Sequence, residues 1–302
     1  PLPVELEWST PTSFTYDGKE KTVTATIKNV VGSDSVTLNH TNNSKTAKGE
    51  YTATVTLTGT DAGNYTLDGV ENASLTWRIA GASIDTATVT LAPSTATYDS
   101  SDQTPSVTVK LGDKELTGTD YTVAYTDADG QPVSNLINAG DYTVTVTGTG
   151  NYEGTATATF TIQKADPNIG DVTYSGGDLY DSTALDSITL NRGNSDIDGT
   201  LKLDAGQTLR ADVSSYKWTF TPDDADNYET VTGTVELAVQ ADTLAGLSIQ
   251  TNPNKITYVY GETFDTTGLV LEATYASNNT KEISAEESTV ETTGPLTCDM
   301  TE

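Results

Sequence analysis

One pattern is written three times along this chain. Gly49-Glu50-Tyr51-Thr52-Ala53-Thr54-Val55-Thr56-Leu57 returns as Gly140-Asp141-Tyr142-Thr143-Val144-Thr145-Val146-Thr147 and, altered, as Ser215-Tyr216-Lys217-Trp218-Thr219-Phe220-Thr221. An Asn-Tyr pair follows each copy (Asn64-Tyr65, Asn151-Tyr152, Asn227-Tyr228), and an alternating run then closes it at Ile79, Ile162 and Val239. Those closing residues lie 83 and then 77 positions apart. Such a period exceeds the roughly 20–50 residues of a solenoid unit and suits a small all-β domain. The repetition therefore predicts similar small domains in tandem.

Periodicity agrees. In the first copy Val23, Ala25 and Ile27 alternate with threonines, as do Tyr51, Ala53, Val55 and Leu57, and then Leu75, Trp77 and Ile79. A period of two marks strands with one buried face. The second copy repeats this at Val107, Val109 and Leu111, and at Tyr121, Val123 and Tyr125; Asp127-Ala128-Asp129-Gly130 reads as a hairpin turn in which Gly130 supplies a positive φ. In the third, Val172-Thr173-Tyr174 is read as the counterpart of the opening strands at Phe14-Thr15-Tyr16 and Thr97-Tyr98. Threonine, 58 of 302 residues, is β-branched and hydroxylated and suits the wet faces of such strands. Apolar spacing of a long helix occurs nowhere, and Ala184–Ile188 permits one helical turn at most. The expected fold class is all-β. Linkers of two to five residues, as at Ala80-Gly81 and Gln163–Pro167, leave little independent tumbling, so a monomeric, fairly stiff rod is expected.

Charge narrows the partners. Forty-three acidic and 15 basic residues give a formal net charge of −28 with no basic stripe, which disfavours nucleic acid and anionic lipid. No apolar run approaches the roughly 18 residues of a membrane helix, and no membrane insertion is expected. The single cysteine, Cys298, means that no disulfide staples these domains, as suits exported proteins that avoid free thiols. The chain reads as an internal piece of a longer protein whose signal peptide and anchor lie elsewhere.

The recurring residues Tyr16-Asp17-Gly18, Ala139-Gly140-Asp141-Tyr142, Gly150-Asn151-Tyr152 and Phe160-Thr161-Ile162 resemble the MBG and YDG-type repeats, immunoglobulin-like modules of large bacterial surface proteins. Residues 244–283, with Leu247-Ser248-Ile249 and Tyr260-Gly261-Glu262-Thr263-Phe264-Asp265, resemble the bacterial Ig-like group 3 module. The resemblance implies a tandem array of Ig-like β-sandwiches, at 1–80, 81–164, a divergent repeat at 165–240, and a group 3 module at 241–302, truncated at Glu302. It implies a non-catalytic stalk or spacer of a bacterial cell-surface or secreted protein, holding out a distal domain. The alternative is an adhesin module that itself binds an extracellular glycan or protein. Departures exist: the second repeat has Asp99-Ser100 where the motif has Asp-Gly.

Few residues invite chemistry. Tyr51, Tyr142 and Tyr216 open the penultimate strands after a tight turn, the place of a tyrosine corner whose hydroxyl bonds upstream backbone. The sole histidine, His40, falls in a stretch read as a polar turn, which leaves a Ser–His–Asp arrangement without a base. Cys298 has no basic neighbour to form a thiolate. Asp223, Asp224 and Asp226 could pair as carboxylates, but turn chemistry accounts for them. Asp127-x-Asp129 and Asp223-Asp224-x-Asp226 offer partial calcium ligand sets without a full calcium loop. Lys–Asn isopeptide bonds find no specific pair. Trp8 and Tyr180 stand outside the repeated framework and are the only aromatics free to form a binding platform. No catalytic, cofactor-binding or metal residue and no cofactor is expected; the chain is read as no enzyme.

Overall fold

The computed structural model describes residues 1–193, 196–259 and 261–284; Tyr260, Cys298 and the rest of 285–302 lie outside the described residues. Strands dominate, and the described residues hold no α-helix, only 3-10 turns at Ala62–Asn64 and Leu185–Ser187. The described residues are all-β, and those up to 240 pair into small Ig-like sandwiches. Residues 1–164 form one compact unit, and a second begins at Ala165.

Residues 82–163 show the plan most fully. A five-stranded sheet runs Thr95–Thr97, Thr155–Gln163, Gly140–Gly148, Tyr121–Thr126, Pro132–Val133, and a three-stranded sheet runs Thr88–Ala92, Ser106–Leu111, Lys114–Glu115. Alternation puts Tyr142, Val144, Phe160 and Ile162 on the inner face, where they meet Leu91 and Val107 of the opposite sheet. Residues 1–80 repeat this around Gly49–Thr58 and Ser74–Ala80, with Leu6, Ala25, Val36 and Val55 forming one core and Val23, Ala53, Trp77 and Ile79 another. In residues 165–240 the sheet Gly199–Leu203, Ser215–Pro222, Val231–Glu236 carries Tyr216, Trp218 and Phe220 inward.

Three devices recur. The corner strand, which opens with the tyrosine, pairs antiparallel with the closing strand, and Tyr51, Tyr142 and Tyr216 face Trp77, Phe160 and Val235. A short strand pairs parallel with the end of the closing strand: Phe14 beside Ile79, Ala96 beside Ile162, Leu179 beside Val239. The first residues of each repeat pair parallel with its own Asn-Tyr loop: Leu2 with Tyr65, Ala82 with Tyr152, and Ala165 with Tyr228. The Asn-Tyr pair is thus a backbone anchor for the incoming chain. Ala82 N donates to the Asn151 carbonyl at 3.0 Å and Ala165 N to that of Asn227 at 2.9 Å.

The third repeat corrects its sequence reading. Val172–Thr173 pairs antiparallel with Asn191–Arg192, and it is Leu179–Tyr180 that takes the parallel slot of Ser13–Thr15 and Thr95–Thr97. The tyrosine of Val172-Thr173-Tyr174 drew the assignment to the wrong strand; backbone register, not the ring, defines the slot.

From 241 on, Leu244–Thr251, Val270–Tyr275 and Thr280–Ser284 form one antiparallel sheet. Ala273 is fully buried, whereas Leu247 and Ile249 are 56% and 61% exposed.

Candidate functional site: the corners and joints

The tyrosines at the three corners act alike. Tyr51 donates its hydroxyl to the Ala47 carbonyl at 2.7 Å, and Tyr142 donates to that of Asn138 at 2.8 Å, each four residues upstream. Tyr216 does more: its oxygen accepts the Arg210 N–H at 2.9 Å and its proton is shared between the Arg210 and Val213 carbonyls at 3.1 Å. Burial pushes the Tyr142 phenol up, and the charge of Asp127 adds to that. The ring fills core while the hydroxyl bonds backbone just upstream of the strand.

The aromatics outside the repeated pattern are built in. Trp8 lies in the strand Leu6–Trp8, donates its indole N–H to the Asn72 carbonyl at 2.9 Å and meets His40 edge-on at 6.1 Å between centroids. Tyr180 belongs to the parallel strand described above, so neither residue stands outside the framework. His40 is in a strand, Thr37–Thr41, not a turn, and its Nε2 accepts the Ala25 N–H at 2.9 Å. The polar run Asn39–Asn43 concealed it, because Leu38 alone marks the inner face of that strand.

The acidic loops close on themselves. Asp127 Oδ1 accepts the N–H groups of Asp129 at 3.1 Å and Gln131 at 2.8 Å, and Gly130 has φ +76°. Asp224 holds the Asn227 amide through both carboxylate oxygens at 3.2 and 3.0 Å. Among the described residues no group of three or more His, Cys, Asp or Glu side chains is placed to hold a metal ion. No helix there is long and apolar enough to cross a membrane.

What the sequence did not reveal is how successive modules are fastened. Between residues 1–80 and 81–164 the fastening centres on the Asn151-Tyr152-Glu153 loop. Lys48 N donates to Asn151 Oδ1 at 2.8 Å and Lys48 Nζ to Glu153 Oε2 at 2.7 Å, and that bond holds the Glu153 carboxyl below its usual range. Tyr16 stands edge-on to Tyr152 at 5.5 Å between centroids. Lys114 donates to the Tyr152 hydroxyl while its ammonium lies 5.1 Å from the Tyr152 ring and 5.8 Å from that of Tyr16, close enough for cation–π attraction. The bond to Tyr152 is the main reason its ammonium pKa is raised.

Between residues 165–240 and the following module the fastening is polar. Asp242 N donates to Asp181 Oδ1 at 3.0 Å. The Asp242 carboxylate accepts the Ser182 hydroxyl at 2.5 Å, the Ser277 N–H at 2.9 Å and the Ser277 hydroxyl at 2.8 Å. These bonds, Ser182 foremost, keep its carboxyl below the usual range. Asp181 takes the register position of Tyr16: Tyr16 N donates to the Ala80 carbonyl and Asp181 N to that of Gln240. One backbone position serves both joints.

Comparison with known proteins places part of the chain. Residues 87–166 match the family model of the MBG domain. No curated protein matches the chain. Among solved structures it is similar to the extracellular cadherin domains 1–4 of protocadherin gamma B7 (12% identity, 76% of this chain and 66% of that one, TM-score 0.18). It is also similar to the protocadherin gamma B4 extracellular domain (10%, 84% and 52%, 0.20) and the human desmocollin-1 ectodomain (10%, 93% and 78%, 0.18). The chain thus spans just under two thirds and about half of the first two. At such scores the architecture rests on the strand pairings themselves.

Proposed function

We propose that this chain is a non-catalytic spacer of a bacterial cell-surface or secreted protein, carrying a distal domain away from its anchor. The observation that carries the reading is the fastening of residues 1–80 to 81–164 by backbone, ion-pair and aromatic contacts across a linker of almost no length. An array meant only to connect needs no such contacts; one meant to hold a direction does. The MBG match at residues 87–166 supports an extracellular structural or adhesion role. Direct adhesion is the weaker reading, since Trp8 is committed to internal bonds and Tyr180 to a framework strand.

Small-angle scattering on the monomeric chain tests this. Four modules of about 35–40 Å in line would give a radius of gyration near 40 Å, against about 19 Å for a compact globule of this length. A value under about 25 Å overturns the proposal.

A further inference from the structure

The sequence describes residues 1–80 and 81–164 as two domains, each able to bury its own core. We infer that they open and close as one cooperative unit, coupled through the Asn151-Tyr152-Glu153 loop. That loop has two loyalties. Its backbone holds Ala82–Ile84, the first residues of its own repeat, through Ala82 N to the Asn151 carbonyl and Ile84 N to that of Glu153. Its side chains hold the preceding repeat, through Lys48 and Tyr16.

The core makes the same connection. Tyr16 packs against the cluster of Val23, Ala53, Trp77 and Ile79 in the first repeat and against the cluster of Ile84, Val109, Val146 and Tyr152 in the second. One ring therefore belongs to two hydrophobic cores, and either core loses a wall when the other opens. A Cβ on Gly81 would lie 2.7 Å from a Glu153 carboxylate oxygen, so a side chain there would push aside the carboxylate that holds Lys48. Lys114 joins the pair by lying against both tyrosine rings. Opening of the first repeat pulls Tyr16 and Lys48 off the loop, and with them part of the cover of Tyr152, which is 3% exposed when both repeats are closed.

Amide hydrogen exchange on the full chain tests the coupling. Val55→Ala removes buried bulk from the first repeat, far from the joint, and should speed exchange in its corner strand roughly tenfold. Coupling carries an acceleration of the same order into Gly140–Gly148 of the second repeat. In a Lys48→Met/Tyr16→Ser/Asn151→Ala background, which also removes the side-chain acceptor of the Lys48 N–H, the same substitution should alter only the first repeat. Acceleration confined to residues 1–80 with the joint intact overturns the inference, and so does spread to the second repeat after the joint is cut. If Val55→Ala unfolds the first repeat outright, the milder Ala25→Gly serves with the same two readings.

Discussion

The second and third repeats share a frame and differ in what fills it. Both hold a corner tyrosine, an Asn-Tyr loop gripping the incoming chain, and a parallel strand beside the closing strand. On the rung beyond the corner the second repeat pairs Val144 with Ala158, the first pairs Ala53 with Leu75, and the third pairs Trp218 with Gly233. Bulk moves from one strand to the other while the rung stays filled. A Cβ built on Gly233 would overlap the indole of Trp218, so the glycine is there to seat the ring, not to bend the strand. Backbone pairing fixes positions in this fold; side-chain volume is settled across the rung, pair by pair.

Breaking that exchange should give the largest effect. Gly233→Ala alone drives a methyl into a buried indole and should destabilise the third repeat by about 1–3 kcal/mol. Trp218→Val alone leaves a cavity and should cost roughly 3 kcal/mol. Together they rebuild the Val144–Ala158 rung, and the alanine should become neutral or favourable, so the double variant is more stable than the sum of the two by at least ~1 kcal/mol. Denaturant unfolding of the four chains, followed through third-repeat amides, measures the cycle. Simple additivity would show that the rung is not a unit. Trp218 has a second peculiarity: its indole N–H is the one buried side-chain polar atom without a partner among the described residues, whereas Trp8 and Trp77 donate theirs to Asn72 and Asn42 carbonyls. The structure shows no compensation for it.

Next come the corner hydroxyls. Tyr142→Phe removes the hydroxyl bond to the Asn138 carbonyl and should cost roughly 1–3 kcal/mol. Tyr216→Phe strands the Arg210 N–H and shortchanges two carbonyls, so its cost should sit at the top of that range. Equal losses, measured by unfolding of the full chain with repeat-specific amides as probes, would mean that the extra bonds of Tyr216 contribute nothing.

These elements divide cleanly by whether they leave a trace in sequence. The corner tyrosines, the alternating strands and the Asp127–Gly130 turn were legible because local chemistry specifies them: a ring after a glycine turn, a period of two, a glycine with positive φ. The recurrence of Asn-Tyr was visible, but its meaning was not, since a loop pairing with residues some 70 positions earlier leaves no local mark. The joints were hidden for the same reason. Lys48 and Glu153 are unremarkable surface residues until the fold brings them together. The misplaced parallel strand of the third repeat shows the limit from the other side: Tyr174 looked right, while Leu179–Tyr180 had the register.

Acid should separate the two joints. Asp242 and Glu153 both have carboxyls held below the ordinary range. A depressed carboxyl contributes stability that is present above its unfolded pKa, about 3.9 for Asp and 4.3 for Glu, and is lost as pH falls through the folded value. The backbone bond at each joint differs, however. The Ser277 N–H is held by the Asp242 carboxylate, whereas the Lys48 N–H is held by the neutral Asn151 amide. Lowering the pH through and well below the ordinary Asp value of about 3.9 should therefore strip protection from Ser277 before Lys48, after correction for intrinsic exchange. Simultaneous loss would show that both joints fail with their modules and not by their own chemistry.

The smallest expected effect is calcium's. The Asp127 loop of the second repeat and the Asp224 loop of the third both carry the spaced carboxylates that a hard cation favours. In each, the carboxylate already has work. Asp127 Oδ1 takes two backbone N–H groups, and Asp224 spreads both oxygens over the Asn227 amide. Ligation would have to surrender bonds that hold the turn, which offsets what the ion contributes. With a net charge of −28 both calcium and magnesium will collect loosely on the surface and screen it, raising the melting temperature slightly and alike. A specific site would differ, since it stabilises only the folded state and magnesium's rigid octahedron fits such loops poorly. Melting at sub-millimolar concentrations should show no gap between the two ions. A calcium-selective rise of several degrees that disappears in Asp127→Asn/Asp129→Asn would prove the second repeat's loop to be a site, and would make the two repeats differ in chemistry as well as in packing.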